Sequence, residues 1–417
     1  MDIPIVAVAY NRPDSLSRLL RSLSLASYPE KVKLYISIDG GGSEAVRTVA
    51  EEFEWQHGVK EILLHPENHG LRNHILSCGD LALQHDGIIV LEDDLFVSKA
   101  FYHYVKNGLA FYNSEKRIAG ISLYAHSYNE TAQLPFLPIS DHTDVFFLQL
   151  ASSWGQCWTK DQWKAFKQWY DIKHSEKLCL ADGVPSSVIK WPDTSWKKFF
   201  IKYMVEKGLY FLYPRTSLST NFGDDGTNHF GDNHYQVPLY YSNKRFKFIE
   251  FSKSYAKYDC YCEILPECLN QLTALFRSYH YTVDLYGSKP LEQIKTDYLL
   301  SSRGTEKPIH SFGRKMLPHE SNIIDEIEGD RIQFTSIADT KSFTQGYTNA
   351  RVVYYHRLPR WHLKEKKAEK DKPLVLSAEE ETLLRIYSKT IGKAFLWPIF
   401  LFHNFFTKFR CNYYPKS

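Results

Sequence analysis

The sequence predicts an α/β fold, a mixed and mostly parallel sheet flanked by helices, followed by a small α+β appendage and a helical tail. Three observations carry this prediction. Apolar, strand-length runs recur at residues 3–9, 32–38, 61–64 and 88–91, and the first and last lack alternation, as expected of strands buried on both faces. Between them lie stretches with apolar residues at helical spacing. The run at 88–91 ends abruptly in three carboxylates, Glu92, Asp93 and Asp94, which places them at the carboxyl edge where open α/β sheets bind ligands.

The strand at 3–9 leads through Asn11-Arg12-Pro13-Asp14 into Leu16, Leu19, Leu20 and Leu23, a helical stripe with Pro13 in its first turn. The strand at 32–38 ends at Asp39 and Gly40-Gly41-Gly42, after which Ser43 caps a helix expected to reach about residue 54. A third strand precedes Asn68-His69-Gly70-Leu71-Arg72 and another helix. Beyond the carboxylates, Phe101, Tyr104, Val105 and Leu109 mark a fourth helix. Strands are expected at 117–123 and 144–150, with the polar stretch between them, holding Pro135 and Pro138, long enough to be a substrate loop. Ser153-Trp154-Gly155 then leads to Thr159-Lys160-Asp161-Gln162, a capping box, and a helix with Trp163, Phe166 and Tyr170. A helix at 196–207 and a strand at 210–213 follow. Two glycines among small polar residues make the segment from Ser219 through Gly223 to His229 a mobile loop. From about residue 251 the strand and helix alternation stops. Short strands at 282–286, 297–301 and 331–335 fit a small appendage with no evident chemistry. The expected domains are therefore 1–250, 251–356 and a tail at 357–417.

With 43% hydrophobic and 15% aromatic residues in a chain of 417, a substantial core is expected and disorder is excluded for most of its length. Its seven cysteines include no C-x-x-C pair, and an odd count without a signal peptide fits reduced thiols in the cytoplasm. The net charge of +3 is uneven: residues 357–417 hold 13 Lys and Arg against 6 Asp and Glu, a net +7, which leaves −4 on the remainder. An acidic body with a basic tail argues against nucleic acid as the main partner and favours acidic lipid headgroups. In the tail, the nine apolar residues 394–402 are too few to cross a membrane, which takes ~20. Flanked by Lys393, Lys408 and Arg410, they fit a segment lying in one leaflet, so residues 377–417 are expected to make peripheral contact with the inner face of the cytoplasmic membrane.

Three adjacent carboxylates repel one another unless a cation or donor hydroxyls relieve them. A hard divalent ion does so with oxygen ligands, leaving its other positions to substrate phosphates, and thereby holds a nucleoside diphosphate. The glycine run at 40–42 is not a G-x-G-x-x-G fingerprint, which weighs against a dinucleotide.

Six motifs in one order, Tyr10-Asn11-Arg12-Pro13, Asp39-Gly40-Gly41, Asn68-His69-Gly70-Leu71-Arg72, Leu91-Glu92-Asp93-Asp94-Leu95, Ser153-Trp154-Gly155 and Asn221-Phe222-Gly223, resemble those of GT-A-fold glycosyltransferases of the family 2 type. The spacing of the carboxylates, the Trp-Gly segment and the Phe-Gly loop is also similar to that of the eukaryotic N-acetylglucosaminyltransferase I family. The resemblance implies that Asp94 coordinates Mn2+ or Mg2+ on the donor diphosphate, with Glu92 and Asp93 accepting from ribose or sugar hydroxyls. It places Asp39 and Asn11 towards the nucleoside, and Arg12, Asn68 and Arg72 in the donor-binding set, Arg72 as a bidentate partner of the diphosphate. Trp154 offers a face to the sugar, Gly155 allows close approach, and the loop from Gly223 to His229 closes over the donor.

Enzymes of this type that invert configuration deprotonate the acceptor hydroxyl with a carboxylate. In many relatives that acid follows a Ser-Trp pair at a helix start, whereas here Ser195-Trp196 is followed by Lys197 and Lys198. Asp193, Asp224 and Asp225 are the substitutes considered, Asp193 being equally placed as a helix cap. Lys197 at that position also fits contact with an anionic acceptor. The expected activity is transfer of a hexose or N-acetylhexosamine, from a UDP-sugar above all, to a glycan or lipid-linked glycan in surface polysaccharide synthesis. The alternatives are a sugar nucleotidyltransferase, although such enzymes carry a glycine-rich loop after the first strand, and a non-catalytic glycan-binding protein.

Overall fold

The computed structural model describes residues 1–224, 235–242 and 245–344. Asp225, His229 and the 377–417 tail, all singled out in the sequence, lie outside the described residues. Among the described residues, nine strands form one sheet in the spatial order Lys257–Tyr258, Val145–Leu148, Tyr210–Pro214, Ile118–Ser122, Gln156–Thr159, Gly87–Glu92, Ile5–Ala9, Leu34–Ile38 and Lys60–Leu64. Five neighbouring pairs are parallel and three antiparallel, so the sheet is mixed and mostly parallel, as the sequence predicts.

Alternation along the first strand assigns its two faces to two helical layers. Ile5, Ala7 and Ala9 pack with Leu16, Leu19, Leu20 and Leu23 of the Pro13–Ser24 helix. Val6 and Val8 face the layer holding Ile75 and Leu76 of the Gly70–Asp80 helix. All four leucines of the stripe are buried. Burial of each is worth about 1.5–3 kcal/mol relative to exposure, and Leu19→Ala costs about 3 kcal/mol through lost transfer energy plus the cavity left behind. Ser43 accepts from the Ala45 amide at 3.3 Å, and its helix, Glu44–Glu52, stops two residues short of the expectation.

The strand Gln156–Thr159 was not expected. Its four residues have no apolar run to distinguish them from loop, yet they insert antiparallel between Gly87–Glu92 and Ile118–Ser122. The reversal brings Ser153-Trp154-Gly155 to the carboxyl edge of the carboxylate strand. It ends in the expected capping box: Thr159 Oγ1 accepts from the Gln162 amide at 3.2 Å, and Gln162 Oε1 accepts from the Thr159 amide at 3.0 Å.

The stretch expected as a substrate loop carries a two-stranded ribbon and is partly buried. Tyr128–Asn129 pairs with Leu134–Pro135, and Tyr128, Asn129, Leu134 and Phe136 are buried. Asn129 explains the tight turn, since its Oδ1 accepts from the Thr131 and Ala132 amides at 3.0 Å and its Nδ2 donates to the Tyr261 carbonyl at 2.8 Å.

Lys257–Tyr258 completes the main sheet from beyond residue 250, pairing parallel to Val145–Leu148. Of the remaining strands, Arg303–Thr305 pairs antiparallel with Thr340–Thr344, and four form a sheet, Tyr281–Asp284, Tyr298–Ser301, Ile332–Ser336 and His310–Phe312 in spatial order. This sheet does not stand apart, because Tyr281, Val283 and Phe334 belong to the same buried cluster as Val6, Trp158 and Tyr258. Polar ties reinforce the join: Glu263 Oε1 accepts from the Tyr286 amide at 2.7 Å, and Tyr286 Oη donates to the Pro135 carbonyl at 3.0 Å.

Candidate active site

Val8 lies opposite Glu92 in the register of the first and fourth strands, so the turn at Tyr10-Asn11-Arg12 rises beside the three carboxylates. Arg12 reaches across that gap. Its Nη2 donates to Asp93 Oδ1, and its Nη1 lies 3.4 Å from Asp94 Oδ2. Asp94 Oδ1 is buried and has no hydrogen-bond partner among the described residues.

Burial dominates the electrostatics. It pushes the Glu92 carboxyl up to about 8, helped by the charges of Asp94 and Asp93 and opposed by Arg12 and Lys197. Burial likewise raises Asp93 to about 6 against the pull of Arg12, and it raises Asp94 in the same direction. The triplet is thus short of positive charge, with Arg12 as its contacting cation.

No group of three His, Cys, Asp or Glu side chains is placed to hold a metal among the described residues, so an all-protein cage is not formed there. The residues do fit a divalent ion held by one carboxylate with the rest of its shell from substrate phosphates and water. Asp94 Oδ1 is a buried oxygen open to it, since Arg12 engages the other oxygen of Asp94 and no described residue bonds to Oδ1.

Asp39 is buried at the end of its strand. Its Oδ1 accepts from the Gly40 and His69 amides at 3.0 and 2.8 Å, and its Oδ2 from the Gly70 amide at 3.0 Å. It therefore caps the Gly70–Asp80 helix and ties two edge loops together. Asn68 Oδ1 accepts from the same Gly70 amide at 2.8 Å. Glycine is required where those loops meet, because a Cβ at Gly40 would lie 2.5 Å from the Glu67 carbonyl oxygen. Asn11 is exposed at this edge. Arg72 turns elsewhere: its guanidinium lies 5.6 Å over the Phe199 ring, and its charge acts on Tyr170 and Asp193.

On the other side of the triplet, Gly155 has φ +90°, and a Cβ there would lie 3.1–3.2 Å from Leu123 and Leu91 side-chain atoms. That backbone sets Trp154 against Tyr124, ring centroids 4.6 Å apart, and Tyr235 at 4.9 Å. Ser219–Asn221 pairs antiparallel with Leu95–Val97, immediately after Asp94, and the Phe222 amide donates to the Asp94 carbonyl at 3.3 Å. Gly223, with φ +62°, follows. Asp224 is then fixed to the first helix: Ser15 Oγ donates to its Oδ2 at 2.7 Å, Arg18 pairs with the same oxygen, and the Arg18 guanidinium stacks 3.9 Å over Phe222. Burial opposes the charge of Asp224, but Arg18 and Ser15 outweigh it and hold its carboxyl below the ordinary range. Sequence reading missed Ser15 and Arg18, whose spacing marks only the polar face of a helix.

Asp193 does not join this group. Its side chain is 91% exposed and pairs with Lys198 Nζ at 3.1 Å, a hydrogen bond that lowers its carboxyl. Lys197 points the other way, its Nζ 5.4 Å over the Trp154 ring and 4.4 Å over the Trp191 ring. Together with Trp154 and Lys197, His126, Glu130, Ser152 and Trp191 line a cleft beside the carboxylates. Of these only Trp154 and Lys197 carried a signal in the sequence.

No protein-family model and no curated protein matches the chain. Among solved structures it is similar to the mannosyltransferase PcManGT from Pyrobaculum calidifontis in complex with GDP-Man and Mn2+, with 10% identity over 40% of this chain and 46% of that one, at a TM-score of 0.29. It is also similar to S. aureus TarS 1-349 in complex with UDP-GlcNAc, with 11% identity over 54% of this chain and 59% of that one, at a TM-score of 0.34. The complex of the same protein with UDP gives 12% identity over 52% and 60%, at a TM-score of 0.33. The chain thus spans about half to three-fifths of the solved chains it matches.

Proposed function

We propose that this protein is a metal-dependent, inverting glycosyltransferase that moves a hexose or N-acetylhexosamine from a nucleoside diphosphate donor to a glycan. One observation carries the reading. Among the described residues, the carboxyl edge of the sheet presents Glu92, Asp93 and Asp94 with a single contacting cation, Arg12, and leaves Asp94 Oδ1 buried without a partner. Such an edge is short of positive charge and suits a cation carried in with a diphosphate. Mn2+ or Mg2+ bound at Asp94 would neutralise the leaving diphosphate. GDP-Man and UDP-GlcNAc in the structures named above indicate which donors to test first.

The chain's own residues divide the remaining work. Arg12 holds Asp93 and Asp94 in place, and Asp39 fixes the Asn68-His69-Gly70 turn on which the nucleoside side of the cleft is built. Trp154 presents a face to the transferred sugar. The acceptor hydroxyl loses its proton to a carboxylate and attacks the anomeric carbon as the nucleoside diphosphate departs. We assign that base to Asp225 in preference to Asp193, whose exposed carboxylate is spent on Lys198 outside the cleft. Asp225 directly follows Asp224, in the segment that starts beside Asp94. Among the described residues no helix is long and apolar enough to cross a membrane. Contact with a lipid-linked acceptor on the inner face of the cytoplasmic membrane is assigned to residues 377–417.

A thermal-shift panel of UDP- and GDP-sugars, each with Mn2+ and with chelator, tests the reading. A ligand at a hundred times its dissociation constant stabilises the folded state by about 2.7 kcal/mol. One donor class should therefore raise the melting temperature, and only with metal present. A panel in which no nucleotide sugar shifts it, or in which chelator makes no difference, removes the proposal.

A further inference from the structure

Three lysines open the Lys197–Lys207 helix and its second turn, and two of them have carboxylate partners. Lys198 donates to Asp193 and to the Trp191 carbonyl at 3.1 and 2.9 Å. Lys202 pairs with Asp182 at 3.0 Å and Glu176 at 3.3 Å. Lys197 has no hydrogen bond and no carboxylate within ion-pair distance among the described residues. It is held instead between the rings of Trp191 and Trp154. Cation–π contact holds the ammonium but leaves its three donors without acceptors.

The cleft below it is also incompletely satisfied. His126 and Ser152 are 8% and 4% exposed, both line the cleft, and His126 Nε2 and Ser152 Oγ are buried with no hydrogen-bond partner. Burial, with a further contribution from Lys197, lowers the His126 imidazole to about 3, so it is neutral and its ring can donate without adding charge. Buried polar groups left unpaired cost stability, and a ligand that pairs them recovers it. Glu130 lines the same cleft with no ion pair to Lys197 among the described residues, which leaves it as an acceptor for hydroxyls. None of the carboxylate triplet lines it, so it adjoins the donor edge without being part of it.

We propose that this cleft is an acceptor subsite for a glycan bearing one oxyanion, a phosphate ester or a carboxylate, with Lys197 as its countercharge and His126 and Ser152 as its neutral donors. The proposal rests on the glycosyltransferase reading and specifies its acceptor class. It also accounts for a lysine at the place where the sequence motif leads one to look for an acid: the residue there binds the acceptor instead of deprotonating it.

The test uses the full chain with a saturating nucleoside diphosphate and Mn2+, so that the donor's own phosphate positions are filled. Glycerol phosphate, glucuronate and glucose are then added at equal concentration and melting temperatures compared. One of the two anions should raise the melting temperature by about 2 °C or more while glucose does not, and the anion that acts names the source of the charge. Lys197→Met should lose the shift and Lys197→Arg should keep it. Equal stabilisation by glucose, or an undiminished anion effect in Lys197→Met, overturns the proposal. So does an anion effect that vanishes once the nucleoside diphosphate is present, because the anion then sits in the donor site. If Lys197→Met does not fold, Lys197→Gln and the contrast between anions and glucose in the wild type decide the matter. Absence of any shift by the nucleoside diphosphate itself counts against the donor reading alone.

Discussion

Arg12 meets Asp94 on one side only: Nη1 lies 3.4 Å from Oδ2, while Oδ1 is buried and unpartnered among the described residues. Removing one partner of a buried ion pair strands the other. Arg12→Met should therefore destabilise the fold by about 1–3 kcal/mol, between the values for exposed and fully buried pairs, because 21% of the Arg12 side chain remains in solvent. Mn2+ should restore part of that loss and raise the melting temperature of the variant more than that of the wild type. Equal metal effects on both would show that Arg12 and the metal do not share the carboxylates.

The latch of Ser15 and Arg18 on Asp224, whose charge acts on Asp93 and Asp94, predicts a donor-binding effect. Arg18→Ala loses the ion pair and the stacking on Phe222, and should raise the KM for the nucleotide sugar by about 3- to 10-fold, about 1 kcal/mol. Steady-state kinetics with donor varied checks this. An unchanged KM would mean that the Phe222-Gly223 segment is positioned by its strand pairing alone.

The assignment of the base separates two carboxylates. Asp225→Asn should cut turnover by a factor of about 10²–10⁴ with nucleotide-sugar binding retained, the range for loss of a general base. Asp193→Asn should leave turnover within about threefold, because it removes an exposed ion pair. The reverse pattern would return the role to Asp193.

His319 is half-buried in the appendage with its Nδ1 shielded from solvent, and that desolvation, with the charge of Arg314, lowers its imidazole from 6.5 to about 4. The folded state then binds fewer protons than the unfolded state, so this group's contribution is intact above pH 6.5 and is lost as pH falls from 6.5 through about 4. Glu320 beside it, raised by burial to about 7, acts in the opposite sense, which makes the wild-type profile a sum of opposing terms. The difference between variant and wild type isolates His319. His319→Gln should become progressively more stable relative to wild type between pH 6.5 and pH 4, followed by thermal melts at each pH. A difference independent of pH would contradict a neutral His319.

Much of the main sheet was legible in the sequence because buried parallel strands and the helices over them write strong periodic signals. The leucine stripe at Leu16, Leu19, Leu20 and Leu23 and the Thr159–Gln162 capping box fall where expected. What escaped was non-local. The strand Gln156–Thr159 is too short and mixed to be read alone, and its place between two distant strands is decided by tertiary pairing. The 128–135 ribbon reads as polar loop, but Asn129 satisfies its own turn and lets the segment go inside. In the candidate site, the acids at the strand end were visible as residues. That Asp39 caps a helix, that Arg72 lies over Phe199, and that Lys197 lies over Trp154 were not, because each depends on a partner far away in sequence.

The most direct test of the central claim is metal-dependent release of nucleoside diphosphate from the preferred nucleotide sugar by Asp94→Asn. The substitution keeps size and removes the charge that would bind the cation. The account predicts a folded protein whose release rate falls by about 10³-fold or more, in the range of removing a group that stabilises the departing charge, and which no longer gains a melting-temperature shift from nucleotide sugar with Mn2+. Retention of both the shift and the turnover in Asp94→Asn would contradict it.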